Sequence, residues 1–328
     1  MYSNGKHIAL IFALAASDCL SRIAEAQTMQ PGASRADDLQ RMSIDDLTNL
    51  QVTSVSKHPA ALRDSASSIY VITAEDIRRS GARTLPDILR LAPGVEVSQL
   101  DSDKWAVGIR GFEGRLSRSV LVLIDGRSVY TPLFAGVYWE VQSTLIEDID
   151  RIEVIRGPGG TIWGSNAVNG VINIITKNAK DTHGAMVSAG GGNVEQGFMD
   201  ARYGGGGNSF NYRVYAKGFT RGPEYHQTGR EFDDWRLGQV GFRTDWDTSK
   251  RDTVTIQGDA YSEIAGQKLG ISFYSPPSIE NLEANGYFSG ENVVGRWRRV
   301  LNASSDIQLQ AYYDRTDRND LNYREVRN

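Results

Sequence analysis

The sequence predicts a small α+β domain followed by about seven antiparallel strands of the length that crosses a membrane as part of a β-barrel. Three observations carry this prediction. Two capped helices alternate with short strands in residues 57–179, segments with a period of two fill residues 180–328, and no run of about 18 apolar residues could form a helical span. The chain of 328 residues is long enough for both parts.

Residues 1–26 have the pattern of a secretory signal peptide. A basic start precedes the apolar run 8–16, which is too short to span a bilayer, and residues 24–26 supply a small-x-small cleavage site. The alternative is a short buried helix. We expect the mature chain to begin at Gln27 and to lack cysteine, because the one cysteine is Cys19. Disulfides and thiolate metal sites are then excluded from it.

Residues 27–56 form a polar, flexible lead that ends in a brief β-prone run. That run alternates apolar and polar positions and consists of Leu50, Gln51, Val52, Thr53, Ser54 and Val55. An exposed strand of this kind can add its backbone hydrogen bonds to the edge of another protein's sheet. The alternative is an ordinary first strand of the domain that follows.

The α+β domain, residues 57–179, contains clear helix signals. Thr73 caps a helix that ends at Gly81, and Thr84 opens a second helix with proline in its first turn. A turn of the dipeptide Asp125-Gly126 joins a strand at 120–124 to residues 127–130 as a hairpin. Further strands are predicted at 68–72, 95–99 and 107–110.

The most informative stretch runs from Arg151 to Lys177, a strand, a glycine turn at 157–160, a small-residue loop and a second strand. A phosphate-binding loop is disfavoured because no lysine follows Gly164 and a strand, not a helix, comes next. An ordinary tight turn in a soluble sheet is the other alternative. The stretch closely resembles the signature that closes the plug domain of the TonB-dependent outer-membrane receptors. Residues 109–112 and 121–127 are similar to further plug motifs.

The segments after residue 180 alternate as transmembrane strands do. Within 253–261, Val254 and Ile256 face one way while Thr255 and Gln257 face the other. A soluble β-sandwich would show the same period and is the alternative. The resemblance implies a plug inside an antiparallel transmembrane barrel of about 22 strands. The count of about seven strands therefore predicts a partial barrel in a truncated chain.

The resemblance also implies site residues. The run from Leu50 to Val55 corresponds to the TonB box, which binds a TonB-type periplasmic energy-transducing protein. Arg110 and Arg156 are implied to meet acidic residues of the barrel wall, whose positions can lie beyond Asn328. Ligand-binding residues are implied on the outward plug loops, at Asp101, Asp103, Lys104, Trp105, Tyr130, Phe134, Tyr138 and Trp139. For each aromatic residue, packing against the barrel wall is the alternative.

Composition and motifs exclude other classes. A net charge of −4 without a basic run argues against nucleic acid. The 4 histidines form no HExxH pattern and no GxSxG elbow is present, so we predict no enzyme, no cofactor and no metal site. A carboxylate pair for glycoside hydrolysis stays open because Asp and Glu are abundant.

The predicted function is a receptor in the outer membrane, in contact with its lipid. It binds a scarce small molecule, expected to be a siderophore, cobalamin or other metal chelate, and admits it to the periplasm by energised plug movement. The alternatives are a truncated, non-functional receptor fragment and a passive porin or adhesin.

Overall fold

The computed structural model describes residues 51–52, 60–61, 68–112, 114–115, 119–131, 134–226, 232–302, 305–321 and 324–327. The predicted signal peptide and most of the segment 27–56 lie outside the described residues. Of the predicted partner-binding run, the structure describes only the backbone of Gln51 and Val52. These two residues form β1 (Gln51–Val52), which pairs antiparallel with β2 (Ala60–Ala61).

The α+β part contains three α-helices, two short 3₁₀ helices (Trp139–Val141 and Ile146–Asp148) and seven further strands among the described residues. In chain order the α-helices and strands are β3 (Ser68–Thr73), α1 (Ala74–Ser80), α2 (Leu85–Leu89), β4 (Val95–Asp101), β5 (Lys104–Ile109), β6 (Val120–Ile124), β7 (Arg127–Ser128), β8 (Ile149–Arg156), α3 (Gly160–Trp163) and β9 (Gly170–Thr176). Five of the strands form one sheet in the order β3-β8-β9-β6-β7, in which only β6 and β9 are parallel. Strands β4 and β5 form a separate hairpin.

The helix starts follow from their caps. The Thr73 hydroxyl accepts a hydrogen bond from the Asp76 backbone N–H, and the Asp76 carboxylate accepts one from the Thr73 N–H, which completes a capping box. Helix α1 ends at Gly81, whose φ of 67° suits glycine. The Thr84 hydroxyl caps α2 by accepting a hydrogen bond from the Asp87 backbone N–H. Both predicted helices are therefore confirmed, although α2 ends at Leu89, earlier than the predicted stop at Pro93-Gly94.

The signature stretch contains a helical turn that the sequence does not predict. Helix α3 is one turn long, and the Trp163 N–H donates to the Gly159 carbonyl over 2.9 Å. Across the loop, the Gly157 N–H donates to the Asn169 carbonyl, also at 2.9 Å. These two bonds close the loop between the neighbouring strands β8 and β9. The remainder is strand, turn and strand as predicted.

The rest of the described chain forms one antiparallel sheet of eight strands in sequence order. They are β10 (Gly184–Gly190), β11 (Glu195–Gly206), β12 (Phe210–Arg221), β13 (Trp235–Asp247), β14 (Asp252–Tyr274), β15 (Pro277–Asn302), β16 (Ser305–Asn319) and β17 (Arg324–Arg327). The seven predicted strands correspond to β10–β16. Strand β17 was missed because its 4 residues are too few to show a period.

The two faces of this sheet differ in polarity, as predicted. In β14 the apolar Ile256 is 44% exposed, whereas its neighbour Thr255 is 8% exposed. In β16 Leu309 is 65% exposed, whereas Arg318, which faces the α+β part, is 4% exposed. The predicted fold class, an α+β plug domain followed by a partial antiparallel barrel, is confirmed. Among the described residues, no helix is long and apolar enough to cross a bilayer.

Candidate functional site

One end of the contact between the plug domain and the barrel strands is an apolar cluster. The Trp105 ring of β5 packs edge-on against the Trp235 ring of β13, with centroids 5.5 Å apart, and Trp235 also meets Phe219 at 4.6 Å. The Arg318 guanidinium lies 3.8 Å from the ring centroids of both Tyr138 and Phe288. Aromatic and cation–π contacts therefore join the two parts at this end.

The predicted ligand-binding residues lie at or near this cluster. Trp105, Tyr138 and Trp139 are buried, at 2%, 6% and 6% exposure, so in this conformation they pack inside the protein. Tyr130 and Phe134 are half-buried, and Phe134 stacks on Tyr138 with centroids 4.0 Å apart. A ligand could reach the three buried rings only after neighbouring groups move. A ligand-binding role for these residues stays a prediction.

The tip of the β4–β5 hairpin carries the predicted charged residues. Lys104 Nζ lies 2.8 Å from Asp101 Oδ2 and 3.1 Å from Asp103 Oδ1. Burial raises the pKa of Asp103 to about 7, although Lys104 opposes the rise. Burial would lower the pKa of Lys104, but the two carboxylates outweigh it and hold that pKa above its usual value. Lys104 is therefore a buried ammonium that compensates Asp101 and Asp103.

Buried acids of the plug domain also meet arginines of the barrel strands. Asp148, 1% exposed, accepts a hydrogen bond from Arg202, and Arg213 Nε lies 3.1 Å from its Oδ2 without hydrogen-bond geometry. Glu140 Oε1 accepts a hydrogen bond of 2.7 Å from Arg318. Because both acids are buried with their partners, these ion pairs are sensitive to the loss of either member.

Two pairs have the opposite polarity, with the arginine on the plug domain. Arg127 Nη1 donates to Asp314 Oδ2 of β16 over 2.6 Å, and Arg83 Nη2 donates to Asp200 Oδ2 of β11 over 2.6 Å. None of these acids and arginines is predicted as a contact residue from the sequence. A pattern that could have identified the barrel residues among them is a charged residue at an inward position of an alternating strand. Arg213 is an example, because its neighbour Val214 faces outward and is 49% exposed.

Arg110 and Arg156 have partners within the plug domain. Arg110 Nη2 donates to the Arg156 carbonyl over 3.0 Å, and Arg156 donates to the Pro93 carbonyl and the Ser68 hydroxyl over 3.1 and 2.8 Å. Through these hydrogen bonds, both arginines connect the end of strand β8 to neighbouring segments of the plug domain. Their implied contact with acids of the barrel wall stays a prediction.

Asp125, in the β6–β7 turn, accepts several hydrogen bonds from both the plug domain and the barrel strands. Its carboxylate accepts hydrogen bonds from the Thr176 N–H, the Thr176 hydroxyl and the Gln257 amide, at 2.9, 2.8 and 2.8 Å. Arg296 of β15 donates to its backbone carbonyl over 2.6 Å. Burial alone would raise the pKa of Asp125, but the Arg243 guanidinium and these hydrogen bonds outweigh it and hold the pKa below its usual value.

We expect Asp125→Asn to remove stability that depends on pH. A lowered native pKa contributes stability above the unfolded value of about 3.9, and that contribution is lost as pH falls through the native pKa. Asparagine tolerates the positive φ of 49° at this position. Thermal unfolding in detergent should show wild type more stable at pH 6, with the difference shrinking below about pH 4. A difference that stays constant from pH 6 to pH 3 would contradict this role.

The comparisons with known proteins agree with this architecture. Residues 61–171 match the family model described as TonB-dependent Receptor Plug Domain. The chain is 35% identical over 147 residues to the vitamin B12 transporter BtuB of Vibrio vulnificus strain CMCP6. That match covers 44% of this chain and 23% of the relative, so it spans less than a quarter of the relative's length.

Solved receptors share the fold. The ferric yersiniabactin uptake receptor FyuA from Yersinia pestis superposes with a TM-score of 0.62 at 13% identity, over 77% of this chain and 41% of that one. The closed form of the ferric-catecholate import receptor Fiu from E. coli K12 gives 0.60 at 19% identity, over 83% and 40%. The sequence and structure matches are to receptors and transporters, and the prediction that the chain is not an enzyme is confirmed. Residues 61–171 are therefore a plug domain of the TonB-dependent receptor type, and the strands that follow them share the fold of solved outer-membrane receptors.

Proposed function

We propose that this protein is an outer-membrane receptor that binds a scarce solute and admits it to the periplasm when an energised TonB-type protein pulls on the plug. In this proposal residues 1–26 are a signal peptide, residues 27–56 a periplasmic segment with the TonB box, residues 57–179 the plug and residues 180–328 the N-terminal part of the barrel. The match of residues 61–171 to the plug model is the observation that carries the proposal.

The character of the plug–barrel contact supports movement of the plug. Hydrogen bonds and ion pairs join the two parts over much of the contact, as at Asp125, Asp148 and Arg127. Such contacts can be exchanged for contacts with water as the plug moves, whereas an entirely apolar contact would expose its whole area at a cost of about 25 cal/mol per Å². A passive porin would keep an open lumen and has no use for a plug.

The proposed solute is a metal chelate such as a siderophore or a cobalamin. One relative carries the name vitamin B12 transporter, and solved structures with the same fold carry the names of ferric chelate receptors. Once the groups that cover them move, Trp105, Lys104 and Asp101 of the hairpin tip would offer the mixture of apolar and polar contacts that a large chelate needs. Uptake of radiolabelled cyanocobalamin and of a ferric siderophore by expressing cells would separate the two classes.

Coupling to the periplasmic partner is tested by Val52→Pro. If the run from Leu50 to Val55 adds a strand to the partner's sheet, proline removes a backbone donor and restricts φ within that strand. We expect ligand binding to cells to persist and energised uptake to fall at least about tenfold, since strand addition depends on main-chain hydrogen bonds. Radiolabel binding at 4 °C and uptake at 37 °C measure the two steps.

Val52→Ala is the matched control, because it shortens the same side chain but keeps the backbone N–H. It should transport at close to the wild-type rate. Gln51 and Val52 pair with Ala60–Ala61 on one side, and within the described part of the chain no strand pairs with the other side of β1. Equal uptake by the proline variant would show that the coupling segment lies elsewhere.

A further inference from the structure

Three groups that can ligate a metal converge where the β4–β5 hairpin tip meets the connection between β12 and β13. They are Asp101 from the plug domain, and His226 and Asp233 from the connection. One ligand atom of each lies within 4.8 Å of the others. Asp101 is more than a hundred positions from His226 and Asp233 in the chain, and the three residues do not form a known metal-binding motif. For that reason the sequence alone predicts no metal site here.

Asp233 is held in place by backbone donors. The carboxylate is fully buried, and its Oδ2 accepts a hydrogen bond of 2.7 Å from the Ser102 N–H. Its Oδ1 accepts a second one, of 3.2 Å, from the Glu224 N–H. One of these donors belongs to the hairpin tip and the other to the barrel connection. The carboxylate therefore has a fixed orientation between the two parts of the protein.

The His226 imidazole is also fixed, and its inner nitrogen has no hydrogen-bond partner. The ring stacks on Phe232, with centroids 4.5 Å apart and planes at 26°. Nε2 is buried and lies 3.1 Å from Asp233 Oδ1, but the angle does not make a hydrogen bond. Nε2 and Oδ1 therefore lie close enough together for one cation to contact both.

The local charge favours a cation. Asp101, Asp103 and Asp233 supply three carboxylates, while Lys104 supplies one ammonium, which lies 2.8 Å from Asp101 Oδ2. Asp103 and Asp233 are both fully buried, and Asp103 Oδ2 has no hydrogen-bond partner. Buried carboxylates that lack a compensating charge are costly. A divalent cation would add positive charge where the carboxylates outnumber the one ammonium group.

We propose that Asp101, His226 and Asp233 bind a divalent first-row transition cation that ties the plug hairpin to the barrel connection. An imidazole nitrogen with two carboxylates suits Zn²⁺ or Co²⁺, whereas Ca²⁺ and Mg²⁺ prefer oxygen ligands alone and Cu⁺ prefers sulfur. Three protein ligands leave a fourth position open on a tetrahedral ion, which a donor atom of a bound solute could fill. The site stands on its own geometry and does not depend on the transport proposal.

Metal titration of the full chain in detergent tests the site. Co²⁺ binding is followed by visible absorption, and bound Zn²⁺ is counted by mass spectrometry after dialysis. We expect one equivalent of tightly bound Co²⁺ that Zn²⁺ displaces. His226→Ala and Asp101→Asn should each weaken binding at least tenfold. Neither substitution removes the backbone contacts that hold Asp233, and circular dichroism should confirm that both variants fold.

His183→Ala is the matched control. His183 Nε2 lies 2.8 Å from Asn211 Oδ1 and belongs to a different contact, so its removal should leave Co²⁺ affinity unchanged. Equal Co²⁺ affinity in wild type and in folded His226→Ala would overturn the assignment. So would displacement of Co²⁺ by an equal concentration of Ca²⁺, because that would indicate a site of oxygen ligands alone.

Discussion

Asp148→Asn is expected to destabilise the protein by about 3–5 kcal/mol, since removal of one member of a buried ion pair leaves its partners uncompensated. Asp148 faces Arg202 and Arg213 of two neighbouring barrel strands, and all three side chains are buried or nearly so. The asparagine keeps the shape of the side chain and loses only its charge. Thermal unfolding in detergent, followed by circular dichroism, should show the midpoint falling by several degrees or more.

Asp150→Asn provides the control two residues away. Its carboxylate is 45% exposed and pairs with Arg151 near the surface. Such a pair contributes about 0–1 kcal/mol, so this variant should unfold close to wild type. If both variants unfold at the same temperature, the ion pairs between the plug domain and the barrel strands do not hold the two parts together.

Gly170→Ala is expected to disrupt the sheet of the plug domain. A Cβ on Gly170 would lie 2.4 Å from the Ile155 carbonyl oxygen and 2.6 Å from Ile109 Cδ1. The carbonyl cannot retreat, because Ile155 lies in β8, which pairs with β9. Overpacking of this kind costs about 1–3 kcal/mol and occasionally more, and a backbone clash places this variant at the upper end. Hydrogen exchange at the amides of β9 should accelerate accordingly.

Gly160→Ala tests the same loop without the clash. Its Cβ would meet only the Ala167 carbonyl oxygen, at 4.0 Å, and the position lies in the helical turn α3. Alanine there should be neutral or stabilising by about 0.4–1 kcal/mol. Equal amide exchange rates in the two variants would mean that the close approach at Gly170 does not affect the stability of β9.

Local signals in the sequence predicted local structure well. The caps at Thr73 and Thr84 and the glycine at 81 determine where helices start and stop, since each provides a hydrogen bond or a backbone angle that the helix end requires. The Asp125-Gly126 turn was predicted for a similar reason. Both residues have positive φ, 49° and 82°, as a two-residue hairpin turn needs.

Contacts between distant parts of the chain could not be predicted from such local signals. Arg318 and Glu140 form a buried pair across 178 positions, and no spacing rule connects them. Strand β5 begins at Lys104, three residues before the predicted start, because a lysine that pairs with two aspartates is buried in spite of its polarity. The burial of a charged residue therefore depends on partners that only the folded structure reveals.

Lipid accessibility along β14 tests the central claim most directly, which is that the strands after the plug domain face lipid outside and the plug inside. Single spin labels at positions 254, 256 and 260 should be relaxed by oxygen dissolved in outer-membrane vesicles. Labels at 255 and 257 should be shielded both from oxygen and from a water-soluble nickel reagent. We predict this alternation with a period of two. If the nickel reagent reaches positions 254, 256 and 260, the outer face meets water, and the strands belong to a soluble sheet.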